Sequence, residues 1–275
     1  MDIKYKTILR QSGELLAYFN EKNQPCFNNH DAFKALKAAS QPSVLMLLSD
    51  MTKRGLLMRI KKGLYYIIPY EQDTQNFMSD WHLLAQYLVG DAKYYIGYYS
   101  AMQLHSLITQ PSIKEQVVVN KQIKPSILKI KNIPFQFIYH NEKHFFGEKK
   151  TWIDNYNKVQ CSDLEKTIID SLFKPEYSGG ITEITKALFK SREKIDFKKL
   201  LDYATRFDSL AVSKRLGYLL ELLQIKTPII EKLQKLKTNS YFLIEPSHPK
   251  EGKMISRWNI QGNLNKKSIL SPIYT

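Results

Sequence analysis

His140 and His144 stand four residues apart in "HNEKH", a spacing at which two imidazoles on one helix can share a metal ion. The preceding "PFQFIY" reads as a strand, so the pair is expected in a loop where that geometry is lost. No Glu directly follows the first His, as a zinc-peptidase helix requires. "CSDLEKTIID" gathers Asp163, Glu165 and Asp170, carboxylates of the kind that do acid/base work or hold a metal. The simpler expectation is a capping box, Ser162 at the helix start and Glu165 three residues on, with no partner named for Asp170. Gly179 and Gly180 precede a helix whose start could hold phosphate, but the Gly-Lys-Ser/Thr ending of a P-loop is missing. His105, on an apolar helix, reads as a satisfied, partly buried side chain. The expectation is a protein that is not an enzyme and carries no cofactor and no metal.

Binding chemistry is better supplied. The formal net charge is +15 over 275 residues, with Lys and Arg in excess along nearly the whole chain, which points to a polyanionic partner. In "RGLLMRIKKGLYYIIP" two apolar runs flank a basic interruption. A glycine after two lysines there predicts a tight hairpin with a cationic tip. Tyr94, Tyr95, Tyr98 and Tyr99 could stack unpaired bases, although aromatic crowding of this kind more often builds a core. Cys26 and Cys161 are the only cysteines; they offer no disulfide framework and suit a reducing compartment. No apolar stretch reaches the roughly 20 residues of a membrane-spanning helix, and "MDIKYKTILR" lacks the features of a secretory signal. No membrane partner and a cytoplasmic location are expected.

Helical periodicity predicts a first helix over about Ile8 to Phe19, a second starting at Asn28 or Asn29, and a third from near Pro42 carrying Val44, Leu47, Leu48 and Met51 on its inner side. Gly55 is a natural stop, and the basic hairpin follows. Three helices and a hairpin in that order make a winged helix-turn-helix, whose third helix enters the major groove of duplex DNA. Ser40, Gln41 and Ser43 are placed to reach base edges, and Lys53, Arg54, Arg59, Lys61 and Lys62 to meet phosphates. Asp50 on the same face is awkward for an anionic partner. This DNA-binding domain is expected over residues 1–70, and a second domain over 77–275. Residues 115–160 of the latter read as strands of a small antiparallel sheet, and 162–236 as helices. A last hairpin is expected from "YFLIEP" and "MISRWNI", and Ser100 is expected to cap a helix. The fold class is therefore α+β, a winged helix-turn-helix followed by a mixed domain with a helical C-terminal part.

"RGLLMRIKKGLYYIIP", "YYIGYYSAMQLHSL", "DLEKTIIDSLFKPEYSGGITEI" and "KRLGYLLELLQI", in this order over residues 54–225, resemble the AbiEi family, antitoxins of the abortive-infection, type IV class of toxin–antitoxin system. One departure is Ser106, where the "LHGL" form has glycine. The resemblance implies an autorepressor that binds inverted repeats in its own operator. It also implies a C-terminal domain that counteracts a nucleotidyltransferase-like toxin without forming a stable complex. For that second role the exposed-looking cations Lys186, Lys190, Arg192, Lys194, Lys198, Lys199, Lys214 and Arg215 are candidates, as contacts to DNA or RNA or as a plain solvated face. Two other functions remain open at this stage, a stand-alone winged-helix regulator and an RNA-binding protein.

Overall fold

In α1 (Arg10–Glu21), Ser12, Leu15 and Phe19 recur at helical spacing and are buried. A three-residue strand, β1 (Cys26–Asn28), follows, and Asn28 opens α2 (Asn29–Ala35) with a reciprocal capping box to Asp31. Ser40 caps α3 (Gln41–Lys53), with Pro42 in the first turn and Val44, Leu48 and Met51 buried on one side. Fully burying side chains of this size contributes about 1.5–3 kcal/mol each. α3 stops where Gly55 adopts φ 76°: Leu56 N donates to Met51 O and Gly55 N to Thr52 O, the hydrogen bonds of a Schellman end that favours glycine. β2 (Leu57–Lys61) and β3 (Leu64–Ile67) then form an antiparallel hairpin with an irregularity between Arg59 and Lys61, and β1 pairs with the free side of β3.

These elements lie in the first of two compact units, Met1–Asp80 and Trp81–Thr275. The computed structural model describes residues 6–37, 39–73, 77, 80–236 and 238–273, which form a mixed α+β protein. Among them no helix is long and apolar enough to cross a membrane.

The second unit opens with α4 (Trp81–Leu88), β4 (Tyr94–Ile96) and α5 (Tyr98–Leu104). Then come β5 (Glu115–Val119), β6 (Ile127–Ile130), β7 (Ile133–Tyr139), β8 (Glu148–Trp152) and β9 (Lys158–Ser162). They make one six-stranded sheet in the order β6-β7-β5-β4-β9-β8. The expectation of a small antiparallel sheet is corrected here: β5 pairs parallel with β7, and β4 parallel with β9. Tyr94–Ile96, hidden in an aromatic cluster, supplies the interior strand that joins β6-β7-β5 on one side to β9-β8 on the other.

α6 (Leu164–Phe173), α7 (Gly180–Ser191), α8 (Phe197–Phe207), α9 (Leu210–Leu222) and α10 (Ile229–Lys235) build the helical part around a core that includes Ile169, Leu172, Ile184, Leu188, Leu200, Phe207, Leu216 and Leu219. The chain closes with β10 (Phe242–Leu243), β11 (Lys253–Ile255), β12 (Ile260–Gly262) and α11 (Lys266–Leu270). The expected last hairpin is corrected: β11 and β12 are its arms, and β10 adds to β12 in parallel. Gly217 must be glycine, because a Cβ there would meet the Trp258 ring at 2.1 Å. Ser106, the departure from glycine, has φ 57°, a left-handed conformation that glycine adopts without strain.

Candidate nucleic-acid interface

Once Val44, Leu48 and Met51 turn inward, α3 leaves Gln41, Ser43, Leu45, Met46, Ser49 and Lys53 exposed. Ser40 is exposed too, but its hydroxyl accepts from Ser43 N and pairs with Ser43 Oγ at 2.8 Å, so its first task is to cap the helix. Leu45 and Met46 are 44% and 69% exposed. Sequence reasoning overlooked Leu45, because a Leu beside a buried stripe is indistinguishable from core without the helix's rotation.

The cations divide into two kinds. Lys53, Arg59, Lys61 and Lys62 are exposed, the last two at the end of the β2–β3 hairpin. Arg54 is different, and its expected phosphate role is corrected. Its guanidinium donates to Thr7 O and, at 2.8 Å, to Ser12 Oγ, and it pairs with Asp50 at 2.7 Å. It fastens α1 to α3. The same pair removes the difficulty with Asp50, whose charge is met within its own helix. Lys34 and Lys37, exposed on and just beyond α2, are further cations that the sequence reading did not single out; their i, i+3 spacing was the available signal.

The basic residues of the second unit do not act as one surface. Lys190 and Lys198 are exposed, and Lys194 with them, while Lys186 is half-buried near Thr109 Oγ1 at 3.5 Å. Arg192 packs on Phe189 and donates to its carbonyl at 2.8 Å. Lys199 bridges Asp163 at 3.0 Å and Glu165 at 2.8 Å. Burial pulls its pKa down, but these carboxylates outweigh that and hold it above the ordinary value. The placement of Lys214 and Arg215 on a surface is corrected, since they are 1% and 4% exposed. The Lys214 ammonium donates to Thr238 O and Ser240 O. The Arg215 guanidinium donates to Leu243 O and, at 2.7 Å, to Leu172 O, and burial lowers its pKa to about 10. α9 is buried on nearly every side, so its two charges become internal braces holding the segment that enters β10.

The carboxylate cluster is structural as well. Asp163, not Ser162, caps α6, accepting from Lys166 N at 2.9 Å. The expected capping box was one residue early: Glu165 accepts instead from Asp196 N, and Ser162 Oγ meets Thr167 Oγ1. Ser100 likewise caps nothing; it donates to Lys114 O and accepts from Gln116 N. The helix start after Gly179 and Gly180 is filled by Glu245, whose carboxylate accepts from Ile181 N at 2.8 Å. His105 Nε2 donates to Ser162 O, 2.7 Å away, a carbonyl oxygen that can only accept.

Asp170 has partners the sequence could not name. It lies fully buried between Lys166 and the Tyr95 hydroxyl, which donates to it at 2.9 Å. His140 Nδ1 is 3.8 Å away, and His140 Nε2 is 2.6 Å from the Tyr98 hydroxyl. His144 stacks on Phe207 and bonds its carbonyl at 3.0 Å. The two histidines therefore lie in the irregular segment after β7, as expected, but both are buried there and each has its own partner. Among the described residues no group of three or more His, Cys, Asp or Glu is placed to hold a metal ion. Tyr95 and Tyr98 are core, while Tyr94 and Tyr99 are half-buried.

Burial first, then the neighbouring charges of Lys166, Lys174 and His144, lower the His140 pKa from 6.5 to about 2. The unfolded chain therefore binds a proton below pH 6.5 that the folded chain refuses, and stability is lost as pH falls through that window, by about 1.4 kcal/mol per unit. The upward shift of Asp170 acts in the opposite sense, so comparison with a variant isolates the histidine. Urea titrations at pH 7 and pH 5 should show the parent chain losing about 2 kcal/mol more than His140→Gln.

No family model matches the chain, and no curated protein matches it. Among solved structures, the RV2827C protein from Mycobacterium tuberculosis is similar, with a TM-score of 0.70 at 14% identity over 98% of this chain and 97% of that one. At this identity the likeness shows a common α+β fold and nothing of activity or partners.

Proposed function

We propose that residues 1–70 form a winged helix-turn-helix reader of duplex DNA, and that the protein is an AbiEi-type antitoxin that represses its own operon. One observation carries the DNA half: α3 exposes a polar N-terminal face, Gln41 and Ser43, in the same unit as a hairpin that ends in exposed Lys61 and Lys62. A helix of this kind fits the major groove, and a cationic hairpin fits the adjoining backbone. Met46 and Leu45 suit contact with thymine methyl groups, which apolar side chains read. The antitoxin half rests on the motif resemblance, and its test is whether co-expression of the chain relieves growth arrest by a neighbouring nucleotidyltransferase-like toxin gene.

The base-reading role has its own test. Gln41→Ala and Ser43→Ala should change the preferred sequence in a selection from randomised duplexes, each altering discrimination by about 1–3 kcal/mol where it contacts a base. Affinity for random duplex should stay nearly unchanged. A uniform loss on all duplexes would show that these side chains only position the protein.

A further inference from the structure

β8 is an edge strand of the six-stranded sheet, and its junction with β9 presents aromatic rings that no core requirement explains. Trp152 is 58% exposed and Tyr156 89% exposed. Trp152 stands directly across from Lys158, and Lys150 across from Gln160, so all four side chains project from one side of the hairpin. The Lys158 ammonium lies 4.0 Å from the centre of the Trp152 ring, a cation–π contact that fixes the indole while more than half of the residue remains in solvent. Together with Gln86, Tyr94 and Tyr156 they line a shallow groove of about 320 Å³.

The turn that displays Tyr156 is prebuilt. Asp154 accepts from Tyr156 N and Asn157 N, each at 2.7 Å, and from the Asn157 side-chain amide at 2.8 Å. Its charge is thereby engaged at the turn, while Lys150 and Lys158 stay exposed beside the rings. Lysines alone would be ordinary protection for a sheet edge. Exposed Trp and Tyr beside them are not, since they add apolar surface where an edge needs none.

We infer that this groove binds an unpaired segment of RNA. A flat ring with a fixed tilt offers a stacking platform to a base, flanking ammonium groups meet its phosphates, and amides such as Gln86 and Gln160 can bond base edges. Unpaired bases are the form in which RNA is read, because the deep major groove of its duplex closes the base edges to side chains. The site is separate from the duplex reader proposed for the first unit, and either can fail without the other.

The test uses the full chain and a 5′-fluorescein-labelled, ten-nucleotide RNA of mixed sequence without self-complementarity, followed by anisotropy at low salt. Trp152→Ala and Tyr156→Ala should each weaken binding about 5- to 160-fold, the range for loss of one stacked base. Trp152→Phe should restore most of the affinity. Because Trp258 is 1% exposed and neither it nor the half-buried Trp81 lines the groove, most of the tryptophan quenching that accompanies RNA binding should be lost in Trp152→Phe. The same variants should leave binding to duplex DNA unchanged. Absence of RNA binding, RNA affinity unchanged by both alanine variants, or tighter binding of the matching single-stranded DNA would each overturn the assignment.

Discussion

Asp170→Ala should destabilise the second unit by about 3–5 kcal/mol, because it strands the Lys166 ammonium in the interior with the Tyr95 hydroxyl as its remaining hydrogen-bond partner. Burial raises the Asp170 pKa and lowers that of Lys166, while their mutual attraction opposes both shifts. The charges are thus tolerated inside because each answers the other. Replacing both, as in Lys166→Met with Asp170→Leu, should cost much less than Asp170→Ala alone, since no buried charge is left. An exposed pair is the control: Lys121→Ala, which breaks the contact with Asp91, should leave stability nearly unchanged, because solvent screens both charges. Tryptophan fluorescence in urea measures all of this selectively. Trp81, Trp152 and Trp258 are the only tryptophans and all lie in the second unit. Equal losses for the single and double variants would mean that packing, not charge, dominates the site.

The second large effect concerns salt. If Lys53, Arg59, Lys61 and Lys62 each neutralise one phosphate, the logarithm of the duplex binding constant should fall with log salt at a slope of about 3.6. Raising salt from about 50 to 200 mM then weakens binding about 150-fold. Alanine at any of the four should reduce the slope by about 0.9. Arg54→Ala should leave the slope unchanged and instead lower the stability of the first unit, because its guanidinium is held by Thr7, Ser12 and Asp50. A slope that drops with Arg54→Ala would place that residue back among the phosphate contacts.

Much of the architecture was legible because long helices print their period in the sequence. The stripe of Val44, Leu48 and Met51, the stop at Gly55 and the helices from Leu164 to Leu222 all follow from spacing and end signals. What escaped was short or non-local. Cys26–Asn28 and Tyr94–Ile96 are three-residue strands, too brief for alternation to register. The parallel pairing of β5 with β7 depends on which strands meet, which no local pattern encodes. Burial of charge was the other blind spot. Lys214 and Arg215 look in sequence like any solvated pair, and only the enclosure of α9 turns them into braces. Asp170 needed Tyr95, 75 residues away, before its role could be stated. The exposed rings of Trp152 and Tyr156 are tertiary facts too, since a strand-like run with aromatics is ordinarily core.

Reading of a duplex sequence by the first unit is the role proposed for its exposed helix face and cationic hairpin. The most direct measurement is anisotropy binding of the full chain to the duplex upstream of its own gene, against a scrambled duplex of the same composition, over a salt series. A preference of about a thousandfold or more for the upstream duplex is expected at physiological salt, with Lys61→Ala and Lys62→Ala weakening both duplexes alike. Equal affinity for the two sequences would contradict it and leave the exposed cations as a general anionic contact.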